Sequence, residues 1–448
     1  MHMTELGLAG RPGGPQGSGE DRPIGVGGAA LAVGTPSDGM RALRRAHEAV
    51  CDWSHRMVGS GSFGSFPYRA VVDYYRQVGK ARVSPELVAL LRGLSVRIGC
   101  SGRGRPWSSP DAWLFDSWLP LTLTDRPMAY DTYAGHELLQ VAHWEAGDPE
   151  RSEDLLMAAL LADLAQIELE ALGFEPNARQ RTRTVSVLQA LARLTEYAPA
   201  TGVDTAPLAA VREVLAARGG DEVLLRAGAA AAAAVRDRVP EPLARAVDIG
   251  LLPVTTMHDE QMFIRCIQLF ERLFARLASA LTDAVEAVRL GRPAEAAAGL
   301  SAAADRLAGA TAPLYRILTT MPPEAFAVIR DHTHGASAIQ SRPYQMIELV
   351  SAKREDGPYS AEKGPRFTVV ATLQEEFLQY SGGWRTEETR LLQEAMVRLD
   401  GAWRAMKRTH WGVTLKIIGK VPGTGGTAGA EYLKAAASVP LFPLLATV

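Results

Sequence analysis

Glu153-Asp-Leu-Leu-Met-Ala-Ala-Leu-Leu-Ala-Asp-Leu-Ala-Gln-Ile-Glu-Leu-Glu-Ala-Leu172 repeats apolar residues at intervals of three and four. That period gathers them on one side of an α-helix. Gly173 follows at once and marks a helix end. Working outward, the same pattern predicts helices near 40–57, 84–98, 128–146, 178–197, 205–218 and 221–238. Breaks are expected at Gly59-Ser-Gly-Ser-Phe-Gly-Ser-Phe-Pro67 and at Gly102-Arg-Gly-Arg-Pro-Trp-Ser-Ser-Pro110, where glycine and proline punctuate the chain. The alanine-rich run Ala227–Ala234 is bracketed by Leu224, Leu225 and Val235 and reads as close helix packing. No segment alternates polar and apolar residues strongly enough to require a sheet. The fold class is all-α.

At 448 residues the chain exceeds one typical domain and can build two cores. Residues 1–38 are rich in glycine, proline and small polar groups and cannot bury enough apolar surface to offset ordering entropy, so a flexible leader is expected. An all-α domain of unassigned role is expected over 39–246 and a second, chemistry-bearing helical domain over 247–448. A formal charge of −2 and a pI near 6.5 give no concentrated basic surface for nucleic acid or an anionic membrane. The expected partner is therefore a small molecule or a protein. Cys51, Cys100 and Cys266 are odd in number and lack Cys-x-x-Cys spacing, which fits a reducing cytoplasm and suggests neither a disulfide framework nor a zinc site. No basic segment leads into an apolar one at the N-terminus, and no apolar run reaches spanning length. A cytoplasmic, unexported protein is expected.

Several groups in the chain invite chemistry. Gly59-Ser-Gly-Ser-Phe-Gly has no following Gly-Lys-Ser/Thr and reads as a loop before a phosphate cradle. His136 and His143, near Glu137 and Glu145, read first as ordinary side chains and second as metal ligands. His332 and His334 alternate without a third ligand and read as solvent-facing.

Three segments of the second half carry more. The first is Gly423-Thr-Gly-Gly-Thr-Ala-Gly-Ala-Glu-Tyr-Leu-Lys434, preceded by His410 in Ala402-Trp-Arg-Ala-Met-Lys-Arg-Thr-His-Trp-Gly-Val-Thr-Leu-Lys-Ile-Ile-Gly419. A neutral imidazole is a common axial ligand of haem iron, and a Gly-Thr-Gly-Gly turn lets backbone approach a bound molecule closely. The second is Thr255-Thr-Met-His-Asp-Glu-Gln-Met-Phe-Ile-Arg-Cys-Ile-Gln-Leu-Phe-Glu-Arg-Leu-Phe274, whose plainer reading is an amphipathic core helix with Phe263, Ile267, Phe270 and Phe274 inward. The third is Gly335-Ala-Ser-Ala-Ile-Gln-Ser-Arg-Pro-Tyr-Gln-Met-Ile-Glu348. Taken alone, Arg342 within it reads as half of a surface ion pair.

In this order and spacing the three segments resemble the tryptophan 2,3-dioxygenase and indoleamine 2,3-dioxygenase superfamily over roughly 255–434. The resemblance implies an all-α haem-binding bundle, with haem b as cofactor and His410 as its axial ligand. It places Phe263, Ile267 and Phe270 on the oxygen-binding side. Ile267 stands where tryptophan dioxygenases carry a distal histidine, so no side-chain base is supplied there. Arg342 matches the arginine that clamps the substrate carboxylate, a task its planar fork suits. Arg342, Phe263, Phe270, Ser341, Thr424, Gly425 and Gly426 are then substrate-binding candidates, and Arg342, Ile267 and Phe263 the catalytic ones.

The implied activity is that of a haem-dependent oxygenase acting on an aromatic amino acid with O2. Oxidative cleavage of the indole C2–C3 bond of tryptophan or a derivative comes first. The alternatives are monooxygenation of tryptophan or tyrosine, with O2 or peroxide, in specialised metabolism, and a non-catalytic haem sensor or interaction module. No nucleic acid or membrane partner is implied, and assembly into a homo-oligomer stays open.

Overall fold

The computed structural model describes residues 36–60, 63–98, 109–123, 130–144, 148–196, 201–333, 338–353, 371–381, 386–419, 421–423 and 427–447. The expected leader, apart from its last three residues, lies outside them. In the first half run α1 (Pro36–Ser60), α2 (Tyr68–Val78), α3 (Pro85–Ile98), α4 (Pro110–Thr122), α5 (Tyr130–Ala134), α6 (Pro149–Phe174), α7 (Ala178–Glu196), α8 (Ala206–Ala216), α9 (Asp221–Arg236) and α10 (Glu241–Ile249). There follow α11 (His258–Arg289), α12 (Pro293–Leu318), α13 (Pro323–His332), α14 (Arg342–Ser351), α15 (Leu373–Ser381), α16 (Glu387–Ile418) and α17 (Ala430–Ser438). No strand occurs among the described residues, so the chain is all-α. None of their helices is long and apolar enough to cross a membrane.

Local chemistry explains most boundaries. Asp148 caps α6 by accepting from the backbone N–H of Arg151 at 3.0 Å, with Pro149 at the first helical position. Thr386 and Thr389 form a reciprocal cap at the start of α16. Helix α6 runs through Gly173 to Phe174 and is buried on nearly every side, because α7, α9, α10 and α11 surround it. The helix expected over 128–146 is cut short. Gly135 adopts φ 66°, the left-handed region that glycine enters freely, and the chain continues as a 3-10 segment from Leu138 to Trp144.

Helix α11 is the axis of the molecule. Its 32 residues span about 48 Å, and α5, α6, α12, α13, α14 and α15 all pack on it. Because its first half is enclosed, the charged residues from Asp259 to Arg272 are buried as well and must be paired. Asp259 pairs with Arg183 of α7, Arg265 with Asp163 of α6 at 2.6 Å, and Arg272 with Glu153 of α6 at 3.1 Å. The His258 ring lies 3.0 Å from the Glu168 carboxylate. Glu260 accepts from the backbone N–H groups of Val254 and Thr255, from the Thr255 hydroxyl and from the Tyr133 phenol. The His-Asp-Glu start of this segment is thus a set of anchors to the first half. One apolar core joins residues from Ala42 to Leu445.

Candidate active site

The other side of α11 faces a cavity of about 240 Å³. Phe263, Ile267, Phe270 and Phe274 recur every three or four residues, so one helical face supplies all four to its wall. Helix α16 does the same from another side with Met406, Lys407, His410, Val413, Thr414 and Ile417. Tyr130 and Tyr133 of α5, Tyr315 of α12, Phe326 and Arg330 of α13, and Tyr432 of α17 complete it. Most of these side chains are apolar or aromatic. No aspartate or glutamate is among the lining residues described.

His410 is the one imidazole among the lining residues described. Its ring stacks on Tyr315, with centroids 5.8 Å apart and planes 21° from parallel. Among the described residues neither ring nitrogen has a hydrogen-bond partner. Burial lowers its pKa from 6.5 to about 4, because a charged imidazolium would be poorly solvated there. At neutral pH the ring therefore keeps a lone pair for an electron-pair acceptor.

Ile267 packs against Tyr130, Tyr133 and Ala134. The Tyr130 phenol donates to Glu271 at 2.8 Å, and the Tyr133 phenol donates to Glu260 at 3.1 Å. Burial, reinforced by the adjacent carboxylates, pushes both phenols well above their ordinary pKa. Burial also raises Glu271, while bonds from Ser341 and Tyr130 oppose that rise. His136 lies 3.7 Å from Glu271, and desolvation, with Arg272 and Arg342 nearby, lowers it to about 3. No group of three or more potential metal-ligating side chains occurs among the described residues. The side chain of His143 is not among those described.

The structure brings Phe263, Ile267, Phe270 and His410 to one cavity. Ser341 stands apart from the wall: it is buried, caps α14 by accepting from Tyr344 N–H at 3.2 Å, and bonds Glu271. The resemblance gives Arg342 to a substrate carboxylate, yet Arg342 is not among the lining residues. Its guanidinium, about one-third exposed, lies 3.1 Å from Asp131, as in the plainer ion-pair reading. The cause is local: Arg342 opens α14 directly after the Ser341 cap and is turned toward α5. Thr424, Gly425 and Gly426 lie outside the described residues. Their neighbours Gly423 and Thr427 line the cavity and are joined by a 2.9 Å backbone hydrogen bond.

Sequence reading missed Tyr130, Tyr133, Tyr315 and Arg330. The two α5 tyrosines did carry a signal, since a spacing of three places them on one helical face. Tyr315 and Arg330 carried none, being brought in by the packing of α12 and α13.

Comparison with characterised proteins gives the chain its relatives. It is 28% identical over 231 residues to a tryptophan 2,3-dioxygenase of Anaeromyxobacter dehalogenans (strain 2CP-C), covering 43% of this chain and 86% of that protein. Against the tryptophan 2,3-dioxygenase of Ruegeria sp. (strain TM1040), identity is 27% over 234 residues, with 43% and 84% covered. The enzyme of that name from Pseudomonas aeruginosa (strain PAO1) is 24% identical over 239 residues, with 43% and 82% covered. No family model matches the chain.

Proposed function

We propose that this protein is a haem-dependent oxygenase of an aromatic amino acid, and that its reaction is oxidative opening of the indole ring of tryptophan or a tryptophan derivative. The observation that carries the proposal is the position of His410. It is a neutral imidazole without a protein hydrogen-bond partner among the described residues, facing an apolar cavity whose wall includes Phe263 and Ile267. This donor set fits an iron porphyrin: one nitrogen for the metal, aromatic and aliphatic surface for the macrocycle. The likeness to proteins named tryptophan 2,3-dioxygenase supports the same reading.

When bound, haem would supply dioxygen activation. The chain's own residues do the rest. His410 would hold the iron. Phe263, Ile267, Phe270 and Phe274 give an indole an apolar surface to lie on and keep bulk water from it, so that orientation contributes much of the rate. Ile267 offers neither donor nor acceptor, and the phenol protons of Tyr130 and Tyr133 are already given to buried carboxylates. Insertion of both oxygen atoms across C2–C3 breaks that bond, yields an N-formylkynurenine, and balances without any net proton.

Insertion of one oxygen atom from peroxide into tryptophan or tyrosine, the other leaving as water, is the second reading. It is favoured by Ile267, which leaves that wall without a basic side chain to take the indole proton. The test is anaerobic reduction of haem-reconstituted protein, followed by O2 and a panel of tryptophan, tyrosine and their derivatives, read by mass spectrometry. A gain of two oxygen atoms supports ring opening and a gain of one supports monooxygenation. No product with any substrate, with O2 or peroxide, removes both. Absence of a Soret band on reconstitution removes the haem reading itself.

A further inference from the structure

We infer that Tyr130, with Glu271 behind it, is the proton-exchanging pair of the cavity, the phenol oxygen taking a proton from the bound molecule as the phenol's own proton passes to the carboxylate. The pair rests on the oxygenase reading only for the identity of that molecule, an indole whose N–H carries the proton.

Two phenols on the wall, Tyr130 and Tyr133, are backed by buried carboxylates, and the carboxylates are held differently. Glu260 Oε1 accepts from the Tyr133 phenol at 3.1 Å and from the Val254 backbone N–H at 2.9 Å. Its Oε2 accepts from the backbone N–H and the hydroxyl of Thr255, both at 2.6 Å. A proton arriving on Glu260 would strand a buried backbone N–H, which cannot turn away. Glu271 is held by hydroxyls instead: Tyr130 donates to its Oε1 at 2.8 Å, and Ser341 bonds it as well. A hydroxyl can rotate and accept where it had donated. Glu271 can therefore gain a proton and keep its partners.

The charges around Glu271 permit that gain. Arg272 is paired with Glu153 at 3.1 Å, and Arg342 with Asp131 at 3.1 Å. His136, just past α5 and 3.7 Å from Glu271, is neutral, since burial and the two arginines lower its pKa to about 3. Protonating Glu271 thus breaks no arginine or lysine ion pair among the described residues, and burial favours the neutral acid. Position agrees with charge. Ile267 packs on Tyr130 and shares the cavity wall with it, so the phenol stands beside an apolar surface on which a flat ring can lie.

The exchange balances without a further reactant. The ligand N–H bond breaks, its proton bonds to Tyr130 Oη, the former phenol proton bonds to a Glu271 oxygen, and the electron pair stays on nitrogen. One negative charge has moved from Glu271 to the ligand, and the reverse shift restores both. Glu271 acts only through Tyr130.

The test uses the full chain as parent, Tyr130→Phe, Glu271→Gln and Glu271→Asp. In the first arm no haem is added, and the probe is 4-nitrophenol, a flat aromatic acid whose phenolate absorbs visible light, at a pH where the free probe is neutral. The parent should hold it as phenolate, with the proton on Glu271. Y130F breaks the path, and E271Q keeps an oxygen for the phenol but removes the acceptor, so both should hold the probe neutral. E271D should restore part of the phenolate band. A parent that holds the probe neutral, or does not hold it, overturns the inference, as does a phenolate band that survives in Y130F or in E271Q.

In the second arm, with haem and tryptophan, E271Q should lower kcat roughly 100-fold at unchanged tryptophan affinity, and E271D should recover part of the loss. Weakened affinity with kcat intact would mark Glu271 as packing alone and overturn its part. If the parent takes up no haem or yields no product, the oxygenase reading falls and the first arm decides the pair by itself.

Discussion

Helix α11 has two sides with opposite fates. On one, His258, Asp259, Arg265 and Arg272 are buried polar groups that each find a partner on α6 or α7. On the other, Phe263, Ile267, Phe270 and Phe274 are apolar groups that pack on neighbouring rings and border the cavity. The polar side is fixed by the cost of leaving a buried charge alone, so it is architecture. The apolar side borders a cavity although protein interiors are close-packed, and these four residues shape its wall. A helix can thus carry a motif whose charged members locate it and whose hydrophobic members shape a cavity.

The sharpest way to break this contrast lies across the cavity. His410→Ala should remain folded, because the residue faces the chamber, yet lose the Soret band on haem reconstitution. Retained haem with unchanged visible bands would remove His410 as the ligand. On the polar side, Asp259→Asn should leave Arg183 buried and without a carboxylate, costing about 3–5 kcal/mol in chemical denaturation. A loss near zero would mean that the pair is not a structural anchor.

Lys80 gives the polar side a pH signature. This buried lysine lies near Glu260, and desolvation lowers it from 10.5 to about 8. Between those values the unfolded chain binds the proton and the folded chain does not, so stability should rise as pH increases from about 8 to 10.5. Below about 8 the benefit is lost, because both states are charged. The gain is on the order of 3 kcal/mol, and Lys80→Met should flatten the slope in urea denaturation. An unchanged slope would place its origin elsewhere.

The smallest structural effect is expected of Ile267→His. It costs about 1–3 kcal/mol at most, since a polar ring replaces an apolar side chain packed on the Tyr130 and Tyr133 clusters. It nevertheless alters the ferric haem spectrum and cyanide affinity. Identity with the parent in spectrum, cyanide affinity and turnover would show that residue 267 does not face the iron.

The all-α class and most first-half helices were legible because a period of three to four survives without knowledge of neighbours. The interruption after α5 was not legible, since Gly135 is one of many glycines and only its φ of 66° stops the helix. Phe263, Ile267 and Phe270 could be grouped from spacing alone. That His410 shares their cavity came through the resemblance and not through periodicity. Arg342 and Arg330 show where such reading ends. Both are arginines at the margins of helices, and only packing decides that one meets Asp131 while the other meets the cavity.

The bonds that position α11 join residues far apart in the chain: 76 positions for Arg183 and Asp259, 90 for Glu168 and His258, 119 for Glu153 and Arg272, 141 for Tyr130 and Glu271. Closing loops of that length is slow, and the entropy of each must be met before its contact forms. The chamber wall is consequently a late product of folding, completed after the local helices exist. If the cavity takes haem as proposed, its loading would be coupled to the last steps of chain collapse. During refolding, haem uptake should track the slowest kinetic phase rather than the early gain of helix.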